Sequence, residues 1–150
     1  MPSVALKLLA HYDRSFPLPA YQTPGAAGAD IRAMLEGKDL VVHPGERVLV
    51  PTGLAMEIPP GFEIQVRPRS GLSYKTGLMV LNSPGTIDSD YRGEVKIILG
   101  NLGQHDEIIK HGDRIAQLVL AACLQAQFSE KTALGETERG VGGFGHTGQS

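Results

Sequence analysis

Glycine and proline interrupt this sequence at short intervals, and that spacing constrains its fold more than any other feature. Gly contributes 19 and Pro 10 of the 150 residues, several of them as paired turn signals: Pro24-Gly25, Pro44-Gly45, Pro59-Pro60-Gly61 and Pro84-Gly85. Between these turns, residues 62–67 alternate strictly between apolar and polar side chains. The same strand character is found in residues 40–42, 47–50, 54–58 and 94–99. Short strands with frequent turns predict an all-β sandwich or barrel.

Length and composition exclude several other classes of protein. A chain of 150 residues that is 41% hydrophobic fits one domain with a core of its own. The single cysteine, Cys123, excludes an intrachain disulfide framework and a Cys-rich zinc site, and we expect a cytoplasmic location. No apolar run approaches the roughly 20 residues that span a bilayer. A net charge of −2 is not the basic footprint of a nucleic-acid binder, so we expect neither membrane nor nucleic acid as a partner.

Two segments depart from the strand pattern. Residues 70–76 follow a proline and begin with Ser70, a good N-cap residue, so the sequence predicts a short helix there. In residues 113–128 the apolar side chains recur at helical spacing, at Ile115, Leu118, Val119 and Ala122. Periodicity alone therefore slightly favours a helix over a buried strand in this segment.

The C-terminal tail is half glycine over residues 139–148 and cannot form a packed core element. It contains a literal G-x-G-x-x-G at Gly140, Gly142 and Gly145, but lacks the helix and the acidic residue that a dinucleotide fold requires after it. Glycine N–H groups can still approach phosphate oxygens closely, and Arg139 can add a bidentate contact. The tail sequence alone is compatible with two interpretations: a solvated terminus, or an arm that is ordered by a ligand.

Two further segments carry polar side chains at turns. Residues 67–71, Arg-Pro-Arg-Ser-Gly, suit phosphate binding, although solvated arginines that end a strand are the simpler explanation for these five residues alone. Residues 82–93 predict a β-hairpin between the apolar runs 78–81 and 95–98, with Asn, Asp and Tyr near its tip. Asn and Asp in hairpins also commonly serve the turn itself.

Five segments of the chain are much more informative as an ordered set than they are singly. They are residues 27–31 (Ala-Gly-Ala-Asp-Ile), 67–75 (Arg-Pro-Arg-Ser-Gly-Leu-Ser-Tyr-Lys), 82–94 (with Gly-Thr-Ile-Asp-Ser-Asp-Tyr-Arg-Gly inside), 112–119 (Gly-Asp-Arg-Ile-Ala-Gln-Leu-Val) and 139–145 (Arg-Gly-Val-Gly-Gly-Phe-Gly). This set closely resembles the five motifs of the homotrimeric dUTP pyrophosphatases, the dUTPases. Five motifs in the family's order, along nearly the whole chain, are far more specific than any one of them.

The resemblance implies a distorted jelly roll of antiparallel strands with one short helix after the second motif. It divides the chain into a β domain, residues 1–138, and a flexible Gly-rich arm, residues 139–150. It also implies a strand over residues 113–124, against the helical periodicity. The implied assembly is a homotrimer whose active sites are shared. One subunit would supply the first, second and fourth motifs, a neighbour the third, and the remaining subunit the tail.

The implied reaction is Mg²⁺-assisted hydrolysis of dUTP to dUMP and pyrophosphate, which limits uracil in DNA and supplies dUMP for thymidylate synthesis. Asp88 matches the carboxylate that orients and deprotonates the water attacking the α-phosphorus. The resemblance matches this role to Asp88 and not to Asp90, two residues on, so we do not expect both to act. Asp30 matches the carboxylate that holds the Mg²⁺ ion through water.

The other matched residues are expected to contact the substrate. On the phosphates the resemblance places Arg69, Ser70, Gly71, Gln117, and Arg139 with the tail backbone, including Gly145. On the nucleoside it places Asn82, Thr86, Ile87, Lys96, Tyr91 packed on the deoxyribose, and Phe144 stacked over the base.

One position departs from the family pattern, and two alternative functions are compatible with a related fold or site. His146 stands where family tails commonly have Ser, which changes the donor offered to the γ-phosphate. A dCTP deaminase of related fold would need a catalytic Glu in a differently arranged hairpin, and Tyr91-Arg-Gly-Glu94 fits the pyrophosphatase pattern better. A non-catalytic, trimeric nucleotide-sensing module is disfavoured by the presence of Asp88 and of the complete tail.

Overall fold

A computed structural model describes residues 2–143 of the chain and contains, within them, ten strands and one helix. In chain order the elements are β1 (Ala5–Leu8), β2 (Ala29–Arg32), β3 (Leu40–Val42), β4 (Arg47–Glu57), β5 (Phe62–Arg67), α1 (Ser70–Lys75), β6 (Leu78–Val80), β7 (Gly85–Ile87), β8 (Glu94–Asn101), β9 (Glu107–Ile109) and β10 (Arg114–Ala122). The all-β prediction with one short helix is confirmed.

The strands form two four-stranded sheets and a two-stranded ribbon, and every pairing is antiparallel. The first sheet has the order β1-β4-β8-β6, the second β2-β10-β5-β7, and β3 pairs with β9. Buried side chains of both sheets, such as Val50 and Leu99 from the first and Ile31 and Ile115 from the second, belong to one core cluster. This arrangement fits the expected jelly roll.

The helical periodicity of residues 113–128 is wrong, and the strand implied by the resemblance is confirmed. β10 covers Arg114–Ala122 and pairs with β2 on one edge and β5 on the other. The register against β2 shifts between Arg114 and Ala116, so Ile115 and Ala116 are both buried instead of alternating. With Leu118 also buried, this bulge gives an inner strand an apolar spacing that imitates a helix.

The predicted helix is confirmed as α1, but it begins in a different way. Ser70 is the first helical residue, and Arg69 occupies the N-cap position with extended backbone and no side-chain capping bond. The carbonyl of Arg69 accepts from the N–H groups of Leu72 and Ser73. Ser70 is therefore not the cap, and its exposed hydroxyl is available for other contacts.

The buried amide of Asn101, at the end of β8, joins several chain segments. Its Nδ2 donates to the carbonyls of Val42 (2.8 Å) and His105 (2.7 Å), and its Oδ1 accepts from the N–H of Gly103 (2.9 Å). Gly77, just after α1, lies against the same amide so closely that any Cβ there would overlap it. The Asn101 amide thus holds four chain segments together at one point.

We expect Asn101→Ala to lower the free energy of unfolding by about 2–4 kcal/mol, because it leaves two carbonyls and one N–H without their partner in the interior. Urea denaturation at a fixed protein concentration measures this loss. The exposed neighbour Gln104 provides the control, since Gln104→Ala should change stability by less than about 0.5 kcal/mol. Similar small losses for both variants would contradict this account of Asn101.

Candidate active site

The segment between β6 and β8 crosses from one sheet to the other and back. β6 pairs with β8 as the predicted hairpin requires, but the intervening β7 pairs with β5 in the second sheet, with Gln65 opposite Thr86. A turn then returns the chain to the first sheet, where the N–H of Tyr91 donates to the carbonyl of Asp88. This crossing brings polar residues from the turn and from both sheets around one cleft.

The cleft has a volume of about 460 Å³ and contains six of the residues expected to contact the nucleoside or the attacking water. Its lining comprises Asn82, Thr86, Ile87, Asp88, Tyr91 and Lys96, together with Leu49, Val66, Gly85, Glu94, Val95 and Ile98. The apolar members come from β4, β5, β7 and β8 and form the hydrophobic part of the wall. The polar members stand at the rim, which is the usual composition of a small-molecule site.

Two glycines make this packing possible. A Cβ at Gly85 would lie 2.9 Å from Nδ2 of Asn82 and 3.3 Å from the Val66 side chain, so a larger residue would have to displace the Asn82 amide. A Cβ at Gly93 would overlap the ring of Tyr91, whose hydroxyl donates to the carbonyl of Glu94 (2.9 Å). The ring of Tyr91 is thus folded back and fixed at the rim of the cleft.

Asp88 and Asp90 lie in different surroundings. β7 ends at Ile87, so both residues belong to the turn that follows it. Asp88 lines the cleft, whereas Asp90 lines only the neighbouring depression beside Phe62 and Cys123. Both side chains are exposed, and only Asp88 faces the nucleoside-sized cavity.

Glu94 is the second carboxylate of the cleft and was not among the predicted site residues. Its Oε1 accepts from Nε2 of His11 (2.7 Å) and from the N–H of Gly53 (2.9 Å), and its Oε2 lies 3.5 Å from Nζ of Lys96. Burial raises the pKa of Glu94, but the hydrogen bonds from Gly53 and His11 and the nearby charge of Lys96 outweigh it and hold the pKa below its ordinary value. Glu94 is therefore an ionised anchor whose oxygens are already engaged.

A second cluster of predicted residues surrounds Asp30, a carboxylate that is only 7% exposed. Nε of Arg69 donates to its Oδ1 and Nη1 of Arg114 to its Oδ2, each over 3.0 Å. Arg69 also donates to the carbonyl of Arg114 (3.2 Å). Arg114 was not among the predicted site residues, although it lies in the fourth motif and a buried carboxylate such as Asp30 requires cationic partners.

The remaining phosphate candidates lie around this arginine pair. Gln117 pairs with Asp30 across β2 and β10, and its side chain packs against Gly28. Ser70 and Gly71 are exposed in the first turn of α1, with open space at the Cα of Gly71. None of these residues lines the nucleoside-sized cleft within the described part of the chain. One chain therefore carries two separate groups of candidates.

The tail candidates are only partly described. Arg139 is exposed, and its Nε donates to the carbonyl of Gly142 (2.8 Å). Phe144, Gly145 and His146, to which the resemblance assigns the base-stacking and phosphate contacts, lie outside the described residues. From Cys123 to Val141 every residue is exposed and outside helix and strand.

Comparisons with known proteins agree with one another. A family model described as dUTPase matches residues 14–148. A deoxyuridine 5'-triphosphate nucleotidohydrolase of Desulfotalea psychrophila is 63% identical over 131 residues, which cover 87% of each chain. One of Mesorhizobium japonicum is 56% identical over 148 residues, covering 98% of this chain and 91% of that protein. Among solved structures, a mutant of the phage 80 dUTPase superimposes with a TM-score of 0.84 and 26% identity, covering 96% of this chain and 98% of that one.

Asp30→Asn should lower the free energy of unfolding by about 1–3 kcal/mol, because the neutral amide leaves two guanidinium groups without their shared anion. The loss is smaller than for a fully buried pair because both arginines keep some contact with water. Thermal or urea denaturation measures it against Asp39→Asn, which removes an exposed carboxylate that does not belong to this cluster. Equal stability of the two variants would refute the anchoring role of Asp30.

Proposed function

This chain belongs to the dUTPase family and hydrolyses dUTP to dUMP and pyrophosphate, and we propose that Asp88 is the base of that reaction. The observation that carries the assignment is the contrast between the two cleft carboxylates. Glu94 is engaged by His11 and Gly53, and its side chain is only 14% exposed. Asp88 is exposed, and within residues 2–143 no group donates a hydrogen bond to its carboxylate, so it is available to a water molecule.

The nucleoside is proposed to occupy the cleft beside Asp88. Asn82 offers an amide at the rim, and Tyr91 presents the face of a fixed ring on which a deoxyribose can pack. Thr86, Ile87 and Lys96 complete the wall on either side. In this pose the α-phosphate leaves the cleft next to Asp88, where the carboxylate can orient water and take its proton.

The triphosphate is proposed to lie against the Asp30 cluster and the first turn of α1. Arg69 is the charged donor, and Asp30 with Arg114 fixes the guanidinium before substrate arrives. Ser70, Gly71 and Gln117 add uncharged polar groups beside it. Arg139 and the tail backbone, with Gly145, would act at the γ end, and Phe144 over the base.

Magnesium fits this site as an ion held mainly by the substrate. Residues 2–143 contain no group of three His, Cys, Asp or Glu side chains that could hold a metal, so protein ligands alone do not provide a cage. Each oxygen of Asp30 accepts one guanidinium bond and has a further lone pair, so the carboxylate can accept from water bound to an ion. Magnesium bound to the phosphates would neutralise their charge, and Asp30 would hold it through water.

The separation of the two clusters supports a homotrimer with shared sites. The cleft is proposed to receive the Asp30 cluster of one neighbour and the tail of another. A second observation is the exposed segment after β10, whose Leu124, Phe128 and Leu134 are 97%, 94% and 87% exposed in the single chain. Large apolar side chains this exposed favour contact with another subunit.

Membrane association, cellular location and the two alternative functions complete the proposal. No helix in the described part of the chain is long and apolar enough to cross a membrane. A cytoplasmic location, where deoxynucleotides are metabolised, is proposed from the substrate. Neither alternative function is favoured by an observation, since the one extra glutamate of the cleft, Glu94, is tied to His11 and Gly53.

Asp88→Asn should reduce kcat by about 10²–10⁴-fold with little change in dUTP binding, because the amide keeps its size but cannot accept the proton of water. Release of pyrophosphate gives the rate, and calorimetry with a non-hydrolysable dUTP analogue gives the affinity. Asp90→Asn is the matched control and should cost far less, since Asp90 does not line the cleft. Equal losses in the two variants would remove the assignment.

Deleting residues 139–150 should reduce turnover by orders of magnitude while the fold and the melting temperature stay nearly unchanged. The deletion removes Arg139, Phe144 and the glycine backbone, all proposed to act on bound substrate, yet Arg139 and Val141 make no contribution to the core. Circular dichroism measures the fold and the melting temperature, and pyrophosphate release measures the turnover.

Mixed trimers provide the control for the deletion. Asp88→Asn subunits and tail-deleted subunits, each nearly inactive alone, should regain partial activity when unfolded, mixed and refolded together, because some sites then receive a wild-type Asp88 and a wild-type tail. Full activity of the truncated enzyme, or no recovery in hybrids verified by mass, would contradict the shared-site proposal.

A further inference from the structure

Glu94 lies where the wall of the cleft meets a distortion in the first sheet. Pro51 is opposite Lys96 and Ala55 is opposite Glu94, so three residues of β4 face the single residue Val95 of β8. Gly53, inside this bulge, has a φ of +66° and turns its N–H away from the sheet and onto Oε1 of Glu94. The distortion therefore creates a binding point for one carboxylate oxygen.

The segment after β1 closes the same point from the other side. Leu9 donates its N–H to the carbonyl of Gly53, and Tyr12 packs so tightly on Gly53 that a Cβ there would lie 3.0 Å from its backbone. This packing brings Nε2 of His11 to 2.7 Å from Oε1 of Glu94. A carboxylate can only accept, so Nε2 carries the proton of this bond.

The other oxygen of Glu94 is directed to the cleft. Glu94 and Lys96 are two positions apart on β8 and therefore share a face, and Oε2 lies 3.5 Å from the ammonium of Lys96. The side chain of Lys96 is 43% exposed, whereas that of Glu94 is 14% exposed and fixed. The lowered pKa of Glu94 keeps this anchor charged across the neutral range. A flexible ammonium at the rim thus has one fixed partner.

We propose that Glu94 is a positioning residue for dUTP binding, which holds the Lys96 ammonium at the rim of the cleft and is itself held by His11 and Gly53. This inference rests on the proposed occupation of the cleft by the nucleoside. A partly exposed ion pair contributes little to stability, so the benefit of the pair lies in ligand binding. Because Lys96 would contact ground state and transition state alike, its loss should raise KM and leave kcat nearly unchanged.

The test is a double-mutant cycle of Glu94→Gln and Lys96→Met, with KM and kcat for dUTP in the presence of Mg²⁺ and the Kd of a non-hydrolysable dUTP analogue. Each single variant should raise KM and Kd by about 5–20-fold with kcat within about twofold, and the double variant should be no worse than the more severe single one. His11→Ala should raise KM by about 2–5-fold, because the bond from Gly53 remains. Asp106→Asn, which removes the exposed 2.8 Å pair of His43 and Asp106, is the matched control and should leave KM and Kd unchanged.

Independent, multiplying effects of the two substitutions, or an unchanged KM in Glu94→Gln with only a lowered melting temperature, would overturn the proposal. If Glu94→Gln does not fold, the cycle is made with His11→Ala and Lys96→Met, where multiplying effects overturn it in the same way. Asp88→Asn measured alongside separates the two levels of inference. A collapse of kcat in Asp88→Asn with no effect at Glu94 refutes only the role of Glu94, whereas an active Asp88→Asn refutes the catalytic assignment itself.

Discussion

The register of β8 between β4 and β6 is the constraint on which the rest of the structure depends. Val95, Ile97 and Leu99 point into the core, so the residues between them, including Lys96 and Ile98, must face the cleft. A slip by one residue would exchange the two sets and bury an ammonium. The apolar core thus selects which side chains the cleft receives, and the Asn101 amide at the end of the strand fixes the same register.

Local features of the fold could be predicted from sequence because local patterns determine them. The alternation in 62–67 and the turn pairs at Pro44-Gly45 and Pro59-Pro60-Gly61 correspond to β5 and to the ends of β4. The short helix after the second motif is present as α1. The residues expected near the nucleoside also lie together, since most of them come from the single continuous segment 82–96.

What sequence reasoning missed depends on contacts between distant segments. The bulge in β10 is created by its pairing with β2, and without that pairing the spacing of Ile115 and Leu118 favours a helix. Arg114 meets Asp30 across 84 residues of chain, and Glu94 meets His11 across 83. No periodicity encodes such pairs. Burial of a carboxylate predicts that it has cationic or hydrogen-bonding partners, but the tertiary structure determines which residues these partners are.

The crossing of β7 from one sheet to the other has a consequence for selectivity. Because β7 is paired to β5 in the second sheet, Thr86 and Ile87 are held by a strand ladder and are not carried on a free loop tip. Ile87 is buried, and Ile64 and Val66 of the neighbouring β5 belong to the close-packed core. A base with one extra methyl group must therefore displace a paired strand, not a flexible loop. Under the proposed nucleoside pose, the stiffness of the hydrophobic interior supports the wall against which the base fits, and residues that never touch the substrate take part in choosing it.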